Sequence, residues 1–526
     1  MSIRSHWQSI KTWAPPVVLV LLFVGVFGVA GFSAYRSISS FDGAMNLQVP
    51  VNLIEHGQYA TSYTQTTLFD HRIQTGPTVL VPIALFMAIF GKSFFVANLV
   101  SLAYLFGLFI VIFLFVRKLV GRWWAILALP VVFVIPSFLN IALNQFGEIP
   151  ALFFALSSAL MLDRLAKTSL TTPHNKTRLI IFAGLLLGCS VLTKTVMLIT
   201  VPGFVAVALL DLWLTKRVSL RYYLLFFATA VIPFVFFELY KLSVLGFGAY
   251  REWWTTEFTA VSNQAGVTQG MSDTPGLFSK FAEHFRLLGG HFDAPLLVLA
   301  AMLILTLVVV AIKLWQLYRD RTQFNWPLSY FTFASIAFSY FGWWLLITPT
   351  ARAWHRRILD GFVLEEILLV VAIAMLIAIV RRTQGYKKWL AAGAAGISSL
   401  CLLTQIAIFA PRVQAQIQPS SVGQAVRHFA ELIRVLPQDA VIYGTGWWQS
   451  PRLSFLSGRT FTSINHRPPP QGPLDKAYFV IEREAYALSR EEMERVILQT
   501  KAHLVESVNT GDGYYFLYQL SSYSRP

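Results

Sequence analysis

The residues that could do chemistry are carboxylates and cations placed beside long apolar runs. Acidic side chains occur in Ser40-Phe41-Asp42-Gly43 and in Gly147-Glu148-Ile149-Pro150, and Lys194 lies between two apolar runs. A basic cluster precedes a later run and consists of Arg352, His355, Arg356 and Arg357. A carboxylate can remove a proton from an attacking hydroxyl group, and cations can stabilise a departing phosphate. This set of residues therefore suits a reaction with a phosphate leaving group.

Each candidate also has a purely structural explanation. Asp42 could be the N-cap of a following helix, because Asp is a favoured capping residue, and Glu148 could cap the helix beside it. Lys194 could extend its side chain to the membrane surface. Two further clusters are expected to form solvated faces: Asp70-His71-Arg72, and Lys280 with His284 and Arg286.

The composition is that of a membrane protein. The chain has 526 residues, is 56% hydrophobic and 13% charged, and has a mean hydropathy of +0.58. Repeated apolar runs of roughly twenty residues are long enough to cross a bilayer. The net charge of +16 comes from short clusters between these runs, not from a basic stripe with interleaved aromatic residues, which argues against nucleic-acid binding. Both cysteines, Cys189 and Cys401, lie in apolar runs, so neither a disulfide framework nor a cysteine metal site is expected.

The positions of the basic clusters set the predicted topology. If residues 78–90 do not cross, the clusters fall on the N-terminal side of the membrane at every turn, as the positive-inside rule requires. We therefore predict a polytopic α-helical protein with the C-terminus outside and residues 78–90 as a juxtamembrane or re-entrant helix. The eleven predicted spans are roughly 15–34, 94–119, 123–139, 149–164, 178–193, 196–214, 221–243, 294–316, 327–347, 359–380 and 388–410.

Two segments outside the spans are predicted to fold. In the first outer loop, residues 36–93, the spacing of Leu47, Val51 and Ile54 predicts a short amphipathic helix that ends at His56-Gly57. We expect a membrane domain over 1–415 and a soluble α/β domain outside the membrane over 416–526. That domain should contain helices near 425–435 and 489–500 and strands near 440–443, 477–481 and 514–518.

The order of these motifs resembles the GT-C glycosyltransferases that use polyprenyl-phosphate sugars, a superfamily that includes the protein O-mannosyltransferases and the lipid A aminoarabinose transferases. The motifs that carry the resemblance are Ser40-Phe41-Asp42-Gly43, Asn52 to Tyr59, Thr75-Gly76-Pro77 to Gly91, Gly147 to Ala151, Gly184 to Lys194, Arg356 to Leu359, and Trp448 to Arg459. The resemblance covers most of the membrane region and implies a GT-C-like fold.

The resemblance also implies roles for the candidate residues. Asp42 would be the catalytic base, and Glu148 a second active-site carboxylate or metal ligand. Lys194 and Arg356 would contact the lipid phosphate, with Arg357 as the alternative to Arg356. The other members of the basic cluster, Arg352 and His355, are candidates for the same role because of their charge. Some relatives bind a divalent metal ion, for which the candidate ligands here are Glu148, Asp70 and His71. Asp42 is followed by Gly43 and not by a second acid as in mannosyltransferases, which leaves the acceptor open.

The predicted function is therefore an inverting hexosyl- or pentosyltransferase. It would move a sugar from a polyprenyl-phosphate donor to a hydroxyl of a glycan, lipid or protein at the outer face, in a bacterial inner membrane. A transporter or flippase of lipid-linked sugars, which makes and breaks no bond, is the main alternative, and a relative that has lost activity is a third. The many polar residues at the outer side and the lack of an evident repeat favour the enzyme over the transporter.

Overall fold

A computed structural model describes most of the chain. The described residues are 3–63, 65–167, 173–264, 277–292, 296–319, 326–348, 355–417, 421–444, 450–464, 467–483, 497–509 and 514–523.

Contacts within the chain define two compact units. The first consists of residues 1–31, 101–142 and 147–417, and the second of residues 32–100, 143–146 and 418–526. The second unit thus combines the first outer loop with the C-terminal segment. The domain boundary predicted between residues 415 and 416 stays a prediction.

Helices, most of them long, dominate the first unit, and three of them, α1, α5 and α7, continue into the second. Their bounds are α1 Ile3–Arg36, α5 Phe94–Val120, α6 Arg122–Phe133, α7 Phe138–Leu143, α8 Glu148–Lys167, α9 Pro173–Thr193, α10 Thr200–Leu210, α11 Leu220–Gln264, α12 Leu277–Phe292, α13 Leu296–Arg319, α14 Leu328–Leu346, α15 His355–Arg382 and α16 Tyr386–Ile417. A 3-10 helix, Thr195–Ile199, leads into α10, and a π-helical turn, Asp211–Thr215, follows it. Helix α11 bends at Gly246, where the backbone φ is 73°.

The helices confirm the predicted membrane architecture. Within the described residues, nine helical segments are long and apolar enough to cross a bilayer, and each overlaps one of the eleven predicted spans. The other two predicted spans correspond to α6, which has only 12 residues, and to α14, which has 19. The segment predicted not to cross forms a 14-residue helix, α4 Pro77–Phe90, which ends at Gly91.

The predicted solvated face on α12 is wrong for two of its three residues. Lys280 Nζ donates to the Leu346 carbonyl oxygen at 2.8 Å, and His284 Nε2 lies 3.1 Å from the Thr348 carbonyl oxygen. Both side chains are buried, whereas Arg286 is exposed and pairs with Glu283. Lys280 therefore binds the last carbonyl of α14 and His284 a carbonyl two residues beyond it, at a helix end that leaves backbone acceptors unpaired.

The second unit contains the predicted interfacial helix. Its short elements in the first loop are α2 Phe41–Asn46, α3 Gln48–His56, β1 Ala60–Thr61 and β2 Thr67–Leu68. Helix α3 ends as predicted, with Gly57 in the left-handed conformation at φ 68°.

The C-terminal segment forms the predicted α/β fold. Its elements are α17 Ser421–Arg434, α18 Ser450–Ser457, β3 Val441–Gly444, β4 Thr462–Ser463, β5 Gly472–Arg483, β6 His503–Asn509 and β7 Tyr514–Tyr523. The strands form one mixed sheet in the order β4-β3-β5-β7-β6. Apolar side chains of α17, including Val426, Phe429 and Ile433, pack in one core with Ile442 and Leu517 of the sheet. Most of the helix predicted near 489–500 lies outside the described residues.

Two glycines allow α9 and α11 to pack closely. A Cβ atom at Gly184 would overlap Thr229, and one at Gly188 would overlap the Ala230 carbonyl oxygen and lie 2.8 Å from Pro233 Cδ. These glycines belong to the motif that ends at Lys194, so their packing holds the start of that segment against α11. Small residues at helix contacts are a common feature of membrane proteins.

Gly188→Val should therefore destabilise the protein by about 1–3 kcal/mol, because the added methyl groups cannot enter the contact without moving backbone. Gly25→Val in α1 is the matched control, since a Cβ there meets no atom within 4 Å. Denaturant unfolding of both variants in micelles would measure the difference. Equal stability of the two variants would contradict the close-packing argument.

Candidate functional site

Asp42 lies in the first turn of α2 and does not cap it. The N-cap is Ser40, whose Oγ accepts a hydrogen bond from the Gly43 backbone N–H at 3.3 Å. The interpretation of Asp42 as the N-cap is therefore wrong. The Asp42 side chain is half-buried, and a carboxylate in the first turn is favoured by the helix dipole.

Gly43 brings α2 against the segment 143–146. A Cβ atom at position 43 would overlap the Asn144 carbonyl oxygen. The Asn144 side chain also accepts a hydrogen bond from the Ser40 backbone N–H at 2.5 Å. The absence of a second acid after Asp42 thus has a steric reason, because no side chain fits at position 43.

Gln145 is the centre of a buried polar network that fixes α2. Its Oε1 accepts from Ser39 Oγ at 2.6 Å, and its Nε2 donates to Asn98 Oδ1 at 2.5 Å. Its carbonyl oxygen accepts from Asn46 Nδ2 at 3.0 Å and Thr75 Oγ1 at 2.9 Å. Buried networks whose members are paired hold their elements in one arrangement. Sequence analysis did not identify Gln145, although an amide within an apolar stretch before Glu148 was a usable signal.

Asp70 and Arg72 form an ion pair in the same unit, in which the Asp70 side chain is buried and the Arg72 side chain is 30% exposed, so a solvated face is the wrong interpretation of Asp70. Arg72 donates to Asp70 through Nε at 2.8 Å and Nη2 at 2.6 Å, and Thr61 Oγ1 donates at 2.7 Å. Burial acts to raise the pKa of Asp70, but the hydrogen bonds and charge of Arg72 outweigh it, so the pKa is lowered. Burial raises the pKa of the neighbouring Tyr63 to about 12. His71 is exposed.

In the first unit, Glu148 and Lys194 form a buried ion pair. Lys194 Nζ lies 2.5 Å from Glu148 Oε1, and the two residues are only 8% and 3% exposed. Glu148 opens α8, and Lys194 lies between α9 and the 3-10 helix. The Lys194 side chain therefore does not extend to the membrane surface, because its ammonium group pairs with a carboxylate inside the protein.

Asp360 and Tyr340 extend this cluster, and sequence analysis missed both. Tyr340 OH donates to Asp360 Oδ2 at 3.0 Å, and the charges of Arg356 and Asp360 act on Lys194. Asp360 Oδ1 and Glu148 Oε2 are buried without a hydrogen-bond partner among the described residues. Arg356 and Asp360 are one helical turn apart on α15, and this i, i+4 spacing in an apolar helix could have identified Asp360.

The basic cluster before α15 is only partly described. Arg356 and Arg357 are half-buried in the first turn of the helix. Arg352 and the side chain of His355 lie outside the described residues. The phosphate-binding roles of all four residues stay predictions.

The metal role predicted for Glu148, Asp70 and His71 stays a prediction. The Glu148 and Asp70 carboxylates each bind a side-chain cation, Lys194 and Arg72 respectively. In the described part of the chain, no group of three or more His, Cys, Asp and Glu side chains is arranged to hold a metal ion. We therefore derive no chemical step from a metal.

Comparisons with known proteins agree with the fold. Residues 74–237 match the family described as dolichyl-phosphate-mannose-protein mannosyltransferase. The chain is similar to the crystal structure of ArnT from Cupriavidus metallidurans bound to undecaprenyl phosphate, with 12% identity and a TM-score of 0.56 over 95% of this chain and 97% of that chain. The apo state of ArnT gives 14% identity and a TM-score of 0.52 over the same shares. A comparison with curated protein sequences finds no match. The predicted GT-C fold and resemblance are confirmed.

The Asp70–Arg72 pair predicts a pH dependence of stability. Because the pKa of Asp70 is lowered in the folded protein, the pair stabilises it above the unfolded pKa of about 3.9, and this stabilisation is lost as the pH falls through the folded pKa. Asp70→Asn should lower the melting temperature near neutral pH, and the difference from wild type should shrink below about pH 4. Melting curves across this range would measure it. A difference that does not change with pH would contradict the ion-pair explanation.

The Glu148–Lys194 pair predicts a coupling between two substitutions. Lys194→Met leaves a buried carboxylate without its cation and should destabilise the protein by about 3–5 kcal/mol. Adding Glu148→Gln removes the uncompensated charge and should restore much of that loss. Unfolding free energies of the wild type, both single variants and the double variant would complete the cycle. Simple additivity would show that the pair is not coupled.

Proposed function

We propose that this chain, which has the GT-C fold, is an inverting glycosyltransferase that moves a sugar from a polyprenyl-phosphate donor to an acceptor hydroxyl. The observation that carries the proposal is the placement of Asp42, in the first turn of a helix that Ser40 caps and Gln145 fixes. The helix end does not need the Asp42 carboxylate as a cap. A carboxylate that a fixed helix holds in one place can act in proton transfer.

In the proposed reaction, Asp42 accepts the proton of the acceptor hydroxyl. The hydroxyl oxygen attacks the anomeric carbon as the bond from that carbon to the phosphate oxygen breaks. The electron pair of the broken bond stays on the phosphate, and the attack from the opposite side inverts the anomeric configuration. A base fixed before the substrate arrives lowers the entropic cost of this step.

The leaving group is a lipid phosphate that gains negative charge. We assign Lys194, which is buried, and Arg356 and Arg357, which are half-buried, to its stabilisation, because preorganised cations act strongly on developing charge. Asp360 balances the cations in the absence of substrate and orients Tyr340 beside them. That ArnT binds undecaprenyl phosphate supports this donor class.

The distribution of basic clusters supports transfer at the outer face. These clusters occupy the loops assigned to the N-terminal side, while Asp42, Glu148, Lys194 and Arg356 fall at the opposite ends of their helices. We propose the inner membrane of a bacterium as the location, with the C-terminal domain on the periplasmic side. The acceptor is a glycan, lipid or protein hydroxyl.

Asp42→Asn should reduce the release of free polyprenyl phosphate by about 10²- to 10⁴-fold, because it removes the base without changing side-chain size. The assay would use purified protein in nanodiscs, a panel of radiolabelled polyprenyl-phosphate sugars, and acceptors of each class. Asp475→Asn is the matched control, since Asp475 is exposed on β5 and should leave turnover unchanged.

Full activity of a folded Asp42→Asn variant would remove Asp42 from the chemistry. Saturable donor binding, with movement of the intact lipid across vesicles and no bond broken with any acceptor, would instead support the transporter. Melting curves of each variant would establish that it is folded.

A further inference from the structure

Two adjacent carboxyl groups lie deep in the membrane region, away from the candidate site. Glu365 and Glu366 belong to α15, and both are at least 98% buried. Glu365 follows Arg356 by nine residues, which places it about 13 Å along the helix. A bilayer core is about 30 Å thick, so the pair lies near its middle.

The neighbours of the pair come from α13 and α16. Thr306 Oγ1 of α13 donates to Glu365 Oε1 at 2.9 Å. The Gln405 side chain of α16 lies beside Glu366. Both oxygens of Glu366 and both polar atoms of the Gln405 amide are buried without a hydrogen-bond partner among the described residues, as is Glu365 Oε2.

Within the described chain, nothing neutralises these carboxyl groups if they are ionised. Neither glutamate forms an ion pair with a described Lys, Arg or His, and the only charged group acting on Glu366 is Glu365. Asp360, on the same helix, is more than one turn away and bound to Tyr340. Two unpaired negative charges in the membrane interior would be very costly.

We propose that this cluster is a proton-binding site in which Glu365 and Glu366 are neutral carboxylic acids and Glu366 forms an acid–amide pair with Gln405. The Glu366 O–H donates to Gln405 Oε1, and Gln405 Nε2 donates to the other Glu366 oxygen. Small side-chain rotations complete this ring. The ring gives a hydrogen-bond partner to all four polar side-chain atoms of Glu366 and Gln405. An ionised Glu366 has no proton to donate to the Gln405 amide oxygen and would leave that oxygen without a partner.

The site connects the membrane packing to the candidate active site. Helix α15 also carries Arg356 and Asp360. A proton bound at Glu366 therefore stabilises the contact between α16 and the helix that carries these two residues. A raised pH that removes this proton would place a charge between α15 and α16 and loosen their contact. This inference does not depend on the proposed reaction.

The direct test is infrared spectroscopy of the full protein in nanodiscs near pH 7, since a protonated carboxyl group has a carbonyl stretch that a carboxylate lacks. The spectrum of wild type minus Glu366→Gln should contain a carboxylic-acid band that shifts in heavy water. Gln can form the same ring with Gln405, so the variant should fold with a melting temperature near that of wild type. Glu431→Gln is the control, because Glu431 is exposed on α17 and should remove only a carboxylate band.

Melting curves at rising pH provide the second measurement. Wild type should lose stability with rising pH to a greater extent than Glu366→Gln, because Glu365 is present in both proteins and only wild type can acquire a second buried charge, at position 366. A difference spectrum with carboxylate bands and no acid band would overturn the proposal. A pair held by a metal ion would give that result, together with a melting temperature that rises with added cation.

Discussion

Polar groups among membrane-spanning helices need partners inside the protein, because no water reaches them there. This constraint accounts for the most specific contacts in the first unit. Asp163 on α8 binds Lys118 of α5 and the Leu328 backbone N–H and Ser329 hydroxyl at the start of α14. Glu148 binds Lys194, and Asp360 binds Tyr340. The apolar surfaces of the helices allow many packings, whereas these polar contacts fix which helix ends meet.

The same constraint separates structural polar groups from candidate functional ones. All the hydrogen-bonding capacity of Asp163 is directed at neighbouring helix ends, so its role is to hold them. Glu148 and Asp360 each keep a buried oxygen without a described partner, next to cations. A buried polar atom without a hydrogen-bond partner is unfavourable for stability. Such atoms are found at functional sites, where a bound ligand can supply the missing partner. The proposed phosphate would compete with these carboxylates for Lys194 and Arg356.

The sequence predicts the spans well because a membrane helix has a length, a hydropathy and flanking charges that all act locally. Gly57 and Gly91 also mark helix ends correctly, since a left-handed backbone at a helix end favours glycine. Residues whose role depends on partners far away in the sequence are harder to identify from the sequence. Lys280 and His284 look like a solvated face until the end of α14 is placed against them. Local signals could have singled out Gln145 and Asp360, but no local pattern specifies which distant residues they contact.

Gly43 has a consequence for which residues can follow Asp42 in evolution. Any larger residue there collides with the Asn144 carbonyl oxygen, which belongs to the backbone and cannot be removed by substitution. A second acid beside Asp42 therefore requires a prior rearrangement of residues 143–146, and that rearrangement alone would disrupt the Gln145 network. Each change made alone would disturb the packing of α2. A second acid at position 43 therefore requires coordinated changes at two places in the chain.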